Sequence, residues 1–171
     1  MKITEVRDKR DWKQFHLVPR RIYAGDPNWI CPIEADVQGV FDPAKNKAFE
    51  NGDATVYVLF DEAGRPAGRI AAFVDHERNA KQAYPTGGIG FFECIDRAGY
   101  AVALFERAAA YLDGFDVKAI DGPVNFGERE RYWGLLQQGY DPPLFFFYYQ
   151  PPYYRTFFED WRLRPFWQIL T

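Results

Sequence analysis

The chain has 171 residues, the size of a single domain, and its 47% hydrophobic and 19% aromatic content supplies a core and excludes a disordered chain. Lys and Arg number 21 against 24 Asp and Glu, a formal charge of −3, so no global positive field draws in nucleic acid. Cys31 and Cys94 are too few and too far apart for a disulfide framework or a structural zinc site; the start MKITEVRDKRDW is too charged for a signal-peptide core and no apolar run approaches the ~18 residues of a membrane span, so a soluble cytoplasmic protein with free thiols is expected.

Residues 2–7 read as a short strand. Trp12, Phe15 and Ile22 then recur at roughly helical spacing behind a cap at Asp8 or Asp11. Pro19 costs about 3 kcal/mol inside a regular helix, which predicts a kink or a split there. Residues 26–53 carry three prolines and two glycines, a pattern of short helical turns on the surface. TVYVLF and RIAAFVD, joined by DEAGRPAG, are two period-2 apolar runs around a turn, hence an antiparallel hairpin. A third strand is expected at 88–95. The helix that follows places Ala101, Phe105, Ala108 and Leu112 on one stripe and closes at Gly114 as C-cap. VKAIDG reads as a strand, LFFFYY (144–149) as a buried strand, PPYYRTFFEDW (151–161) as a helix with proline in its first turn, and RPFWQIL as a closing strand that ends the sequence. With no repeat or linker, the chain is one uninterrupted domain of order β-α, β-β-β, α-β-α-β.

Eight short words occur in order: Phe15-x-x-x-Pro19, GDPNW with Pro32, DPAKN (42–46), GRIAA (68–72), GFFEC (90–94), GPVNF (122–126), GLL (134–136) and PPYY (151–154). Together with the element order they resemble the GCN5-related N-acetyltransferase (GNAT) superfamily, and within it a less characterised bacterial branch of longer proteins. The resemblance implies an α+β fold with a mixed, mostly antiparallel central sheet flanked by helices, a single domain over 1–171, and acetyl-CoA or another acyl-CoA as donor substrate to a small-molecule or protein amine. A GNAT sheet normally adds one more strand beyond the point where this sequence stops. An uncovered apolar edge is a liability, so a homodimer is expected to cover it.

The resemblance also assigns roles. The carrier's pyrophosphate is expected on backbone amides at the strand-to-helix junction, here CIDRAGYA, where Arg97, Ala98 and Gly99 form a shortened version of the superfamily's loop. Asp96 is placed to cap the same helix, and its charge would oppose a phosphate. Pantetheine is expected to lie like an extra strand along Phe92, Cys94 and Ile95. Glu93 is the candidate general base, against a structural alternative in which it pairs with an arginine or caps a loop. The superfamily's acid is a tyrosine in the last helix; the aligned position here is Phe158, which cannot donate a proton. Tyr154, one turn earlier on the same face, is the candidate acid, or else a packed side chain with its hydroxyl on a backbone carbonyl. Asn125 either bridges two diverging backbones or contacts the acceptor. Residues 127–150 form a long connection in which Trp133, Leu135 and Leu136 could wall an acceptor pocket.

Rival readings have less in the residues. His16 and His76 show no metal-ligand spacing and Cys94 has no histidine near it in sequence. GGIG (87–90) lacks a nucleotide-binding context and reads as a turn. An RNA-stacking surface suits the aromatic content but not the acidic balance. The rival retained is a catalytically inactive module that keeps the cleft for a ligand or peptide.

Overall fold

A computed structural model describes residues 1–128, 131–144 and 147–161. Five strands form one sheet in the order β1 (Lys2–Glu5), β2 (Gly52–Phe60), β3 (Pro66–Asp75), β4 (Thr86–Cys94) and β5 (Ala119–Asp121). Neighbours are antiparallel except for β4 and β5, which are parallel. Helices α1 (Lys9–Ile22) and α2 (Glu34–Val40) lie over one face, and α4 (Ala98–Leu112) and α5 (Tyr154–Asp160) over the other; α3 (His76–Ala80) follows directly on β3. This is the expected α+β architecture, with its sheet covered on both faces. GGIG, expected as a turn, instead lies in the first half of β4.

Local sequence explains the elements. Asp8 accepts from the Arg10 and Asp11 amides while Asp11 reaches back to the Asp8 amide, so both candidate caps join in one capping box. The predicted kink at Pro19 is not a break: α1 continues to Ile22. Proline has no N–H for the Phe15 carbonyl four residues back, and that carbonyl instead faces the Arg69 guanidinium (Nη1 to O, 3.4 Å).

On the other face, the predicted stripe Ala101, Phe105, Ala108 and Leu112 is buried. Phe105 stacks on Phe92 at 4.7 Å and on Trp161 at 4.8 Å, and Phe158 meets both Phe92 and Phe105 edge-on. Such ring pairs add about 0.5–1.5 kcal/mol each beyond their burial.

Four further expectations need correction. Gly114 does not cap α4; it lies in a 3-10 turn over Asp113–Phe115, and the left-handed position is Asp116. Asp96 is not the cap either: Arg97 holds that place and no side chain caps the helix. The described part of 144–149 forms no strand, with Leu144 and Phe147 exposed, because this stretch bonds to the sheet through side chains. Pro151 and Pro152 precede α5 and do not sit in its first turn. The expected closing strand RPFWQIL, and with it the edge expected to dimerise, lies outside the described residues.

Candidate functional site

Opposite Ile70 of β3, β4 carries one extra residue: Arg69 pairs with Glu93, but Ala71 pairs with Gly90. Phe91 takes up the extra length in a left-handed conformation (φ 51°), which costs a bulky residue about 1–2 kcal/mol. A bulge reverses which side chains face which side of a sheet. Phe91 therefore packs toward α1, Phe92 and Cys94 pack toward α4, and Glu93 is delivered to the α1 face beside Arg69.

There Glu93, only 4% exposed, accepts from the Tyr23 hydroxyl at 2.8 Å and the Tyr154 hydroxyl at 2.7 Å, both on Oε2. Its Oε1 faces Arg69 Nη2 at 3.5 Å. Burial raises the Glu93 carboxyl above its usual range, opposed first by the Arg69 charge and then by the hydrogen bonds from Tyr154, Tyr23 and Arg69. The two phenols are pushed well above their ordinary value, mainly by burial and then by the neighbouring carboxylate. Arg69, 3% exposed, stands 4.5 Å over the Phe15 ring, and its Nε has no hydrogen-bond partner among the described residues. The Phe15-x-x-x-Pro19 word thus supplies Arg69 with both a ring and a freed carbonyl.

Beside this carboxylate the sheet forks. β5 pairs with β4 only from Thr86 with Ala119 to Gly88 with Asp121, and a last bond runs from the Val124 amide to the Ile89 carbonyl (2.9 Å). Beyond it the outer edge of β4 meets tyrosine hydroxyls. Tyr148 accepts from the Phe91 amide (3.1 Å), Tyr154 accepts from the Cys94 amide (2.7 Å), and Tyr153 donates to the Cys94 carbonyl (2.9 Å).

The structure brings Glu93 and Tyr154 together. Phe92 and the Cys94 thiol point into the α4 core, and burial pushes that thiol up to about 12. The Ile95 amide bonds back to the Ala67 carbonyl (2.9 Å), so it is not on the open edge. At the junction Arg97 turns to Tyr100 (3.0 Å) and Glu62 (3.3 Å), while Ala98 and Gly99 are exposed at the uncapped start of α4. Asn125 does not bridge the diverging strands. Its Nδ2 donates to the Glu128 carbonyl (2.9 Å) within its own turn, and its buried Oδ1 has no partner among the described residues. Leu135 packs against the α4 core, Leu136 donates its amide to Gln150, and Trp133 is half-buried.

Sequence reasoning missed Tyr23, Arg69 and Tyr148. Arg69 carried a signal: a lone charge inside the apolar strand GRIAAFV demands a buried partner. Tyr23 and Tyr148 carried none, because only the folded chain brings residues 70 and 57 positions away onto β4.

His16 packs beside Arg69 in a small cavity that Pro19, Cys31, Pro32, Glu34 and Val37 also line. Its Nε2 lies 3.0 Å from the Gln38 amide nitrogen, which can only donate, so this ring nitrogen accepts. Burial, then the Arg69 charge, lowers His16 to about 4. The unfolded chain binds more protons between about 6.5 and about 4, so stability is present above that window and is lost as pH falls through it. His16→Gln is expected to flatten the acid limb of urea midpoints measured from about pH 7 to about pH 4; an unchanged slope removes His16 from it.

The fold that carries this site is GNAT-like: a five-stranded, mostly antiparallel open sheet with a parallel final pair and helices on both faces. No family model matches the chain. Among curated proteins, protein YghO of Escherichia coli (strain K12) is 32% identical over 136 residues, which cover 80% of this chain and 34% of that protein. Bacterial ceramide synthase of Caulobacter vibrioides (strain NA1000 / CB15N) is 28% identical over 144 residues, 84% of this chain and 37% of that protein. The chain thus spans about a third of the length of these relatives. Among solved structures, a tetramutant of the BH1408 protein from Bacillus halodurans covers 100% of this chain and 98% of its own at a TM-score of 0.59 and 16% identity. The aminoglycoside 6'-N-acetyltransferase AAC(6')-Ih of Acinetobacter baumannii covers 71% of this chain and 79% of its own at 0.50 and 12% identity. At such identities the likeness is one of fold.

Proposed function

We propose that this chain is an acyl-CoA-dependent N-acyltransferase domain in which Glu93 is the general base and Tyr154 the general acid. The observation that carries this reading is the 2.7 Å hydrogen bond between them at the mouth of the β4–β5 fork. Glu93 takes a proton from the acceptor amine, whose nitrogen attacks the thioester carbonyl. The C–N bond forms, the C–S bond breaks, and Tyr154 protonates the departing thiolate. Because the two side chains are bonded directly, the proton on Glu93 can refill Tyr154 and the cycle closes.

The donor's phosphates would sit at the uncapped start of α4, near Arg97, Ala98 and Gly99, and its amide arm along Phe92 and Cys94 of β4, with Ile95 and Asn125 flanking. Acetyl-CoA is the simplest donor. The name of the Caulobacter relative speaks for longer acyl groups and lipid amines, since ceramide is the N-acyl derivative of a long-chain amino alcohol.

Calorimetric titration with acetyl-CoA, palmitoyl-CoA and free CoA, followed by a thiol-release assay over a panel of primary amines, tests the reading. Saturable heat and amine-dependent thiol release are expected. Heat without release favours the second reading, an inactive binding module. That alternative is motivated by the three tyrosine hydroxyls that occupy the β4 edge.

A further inference from the structure

The open edge of β4 is satisfied by one segment of the same chain. Tyr148, Tyr153 and Tyr154 together meet the Phe91 amide and both backbone groups of Cys94. A neighbouring strand would meet such groups with its own backbone; here, among the described residues, the tips of long side chains reach them, and the described residues from 147 to 153 form neither helix nor strand. We propose that residues 148–153 are a displaceable cover, a phenolic substitute for the amide-bearing arm of an acyl-CoA, which must leave β4 before the donor can lie there, while Tyr154 stays on Glu93 from the start of α5. This rests on the acyltransferase reading.

The exchange is balanced. A pantetheine arm carries two amide groups, each a donor and an acceptor, so the β4 groups released by the hydroxyls find equivalent partners, and replacing one hydrogen bond by another changes free energy little. The cover is held in place from the α1 side. Tyr149 donates its hydroxyl to Asp26 (2.8 Å), its carbonyl lies 3.0 Å from the Tyr23 hydroxyl, which shares its one proton between that oxygen and Glu93, and the Leu136 amide bonds to Gln150 Oε1 (2.8 Å). One movement would thus clear the Phe91 amide and the Cys94 carbonyl for the donor while the Glu93–Tyr154 pair stays intact.

The test is the Tyr148→Phe/Tyr153→Phe double variant, which keeps both rings and removes only hydroxyl bonds, titrated with free CoA beside the wild type. The variant is expected to bind about tenfold more tightly, the factor that ~1.4 kcal/mol makes. Equal or weaker binding, with the wild type still binding, overturns the cover and leaves the acyltransferase reading standing. No heat from either protein at millimolar CoA overturns both. Amide hydrogen exchange on the wild type gives a second measurement that needs no variant. Saturating CoA should speed exchange at Leu136, whose amide bonds to Gln150 of the cover, and slow it at Phe91, and unchanged exchange at both overturns the cover.

Discussion

Gly90→Ala is expected to lower the unfolding free energy by about 3 kcal/mol, the upper end for forcing extra volume into a packed site. A Cβ at this position would stand 2.0 Å from the Val124 carbonyl oxygen, a backbone atom that cannot turn aside as a side chain can. Val124 is also the last residue to bond across the fork, through its amide to Ile89, so the added methyl pushes apart the strands at the point where they still touch. Gly99→Ala is the control. Nothing lies within 4 Å of its added Cβ, and it sits in the first turn of α4, where alanine is favoured over glycine by less than the ~1 kcal/mol of a helix interior. Urea midpoints should fall for the first and rise slightly for the second. A Gly90 variant within about 1 kcal/mol of the wild type would mean that the strands part more freely than their contact implies.

The sequence words and the folded site correspond in a specific way. Phe15 and Pro19 hold Arg69 of GRIAA, Arg69 faces Glu93 of GFFEC, and Glu93 accepts from Tyr154 of PPYY. Asn46 of DPAKN donates to the Phe126 carbonyl of GPVNF (3.1 Å) and accepts from the Ala48 amide. Words that look unrelated along the chain are thus the two sides of single contacts. The hairpin and α4 were legible because their apolar periods are local properties. The bulge at Phe91 was not, although it decides which face receives Glu93: a phenylalanine in a left-handed conformation leaves no mark in composition or period. The stretch 144–149 misled for the opposite reason. Its aromatic run reads as a strand, yet the described Tyr148 there uses its hydroxyl on β4 and the described backbone does not enter the sheet.

Glu93→Gln is expected to slow acyl transfer by at least ~10²-fold, the low end for removal of a general base, and to destabilise the fold as well. Glutamine keeps an acceptor for Tyr23 and Tyr154 but leaves the buried Arg69 guanidinium without its carboxylate, and a guanidinium cannot shed its proton. Removing one partner of a buried pair costs about 3–5 kcal/mol. Arg69→Met should cost less, because the remaining carboxyl can take up a proton and become neutral. The double variant should recover part of the loss, a coupling of about 0.5–3 kcal/mol. Rate measured in the Arg69→Met background therefore separates the two roles: a further ~10²-fold drop on adding Glu93→Gln assigns the proton transfer to Glu93, whereas a rate that tracks only the folded fraction makes it a structural partner. pH gives an independent check. With its folded value raised, Glu93 binds more protons folded than unfolded from the ordinary carboxylate range upward, so the stability it contributes is lost as pH rises through the folded value. The base form accumulates over the same interval. Rate should therefore climb with pH while the Glu93 share of stability declines against the opposite slope of His16, and Glu93→Gln should abolish the rate slope and leave stability with the His16 slope alone.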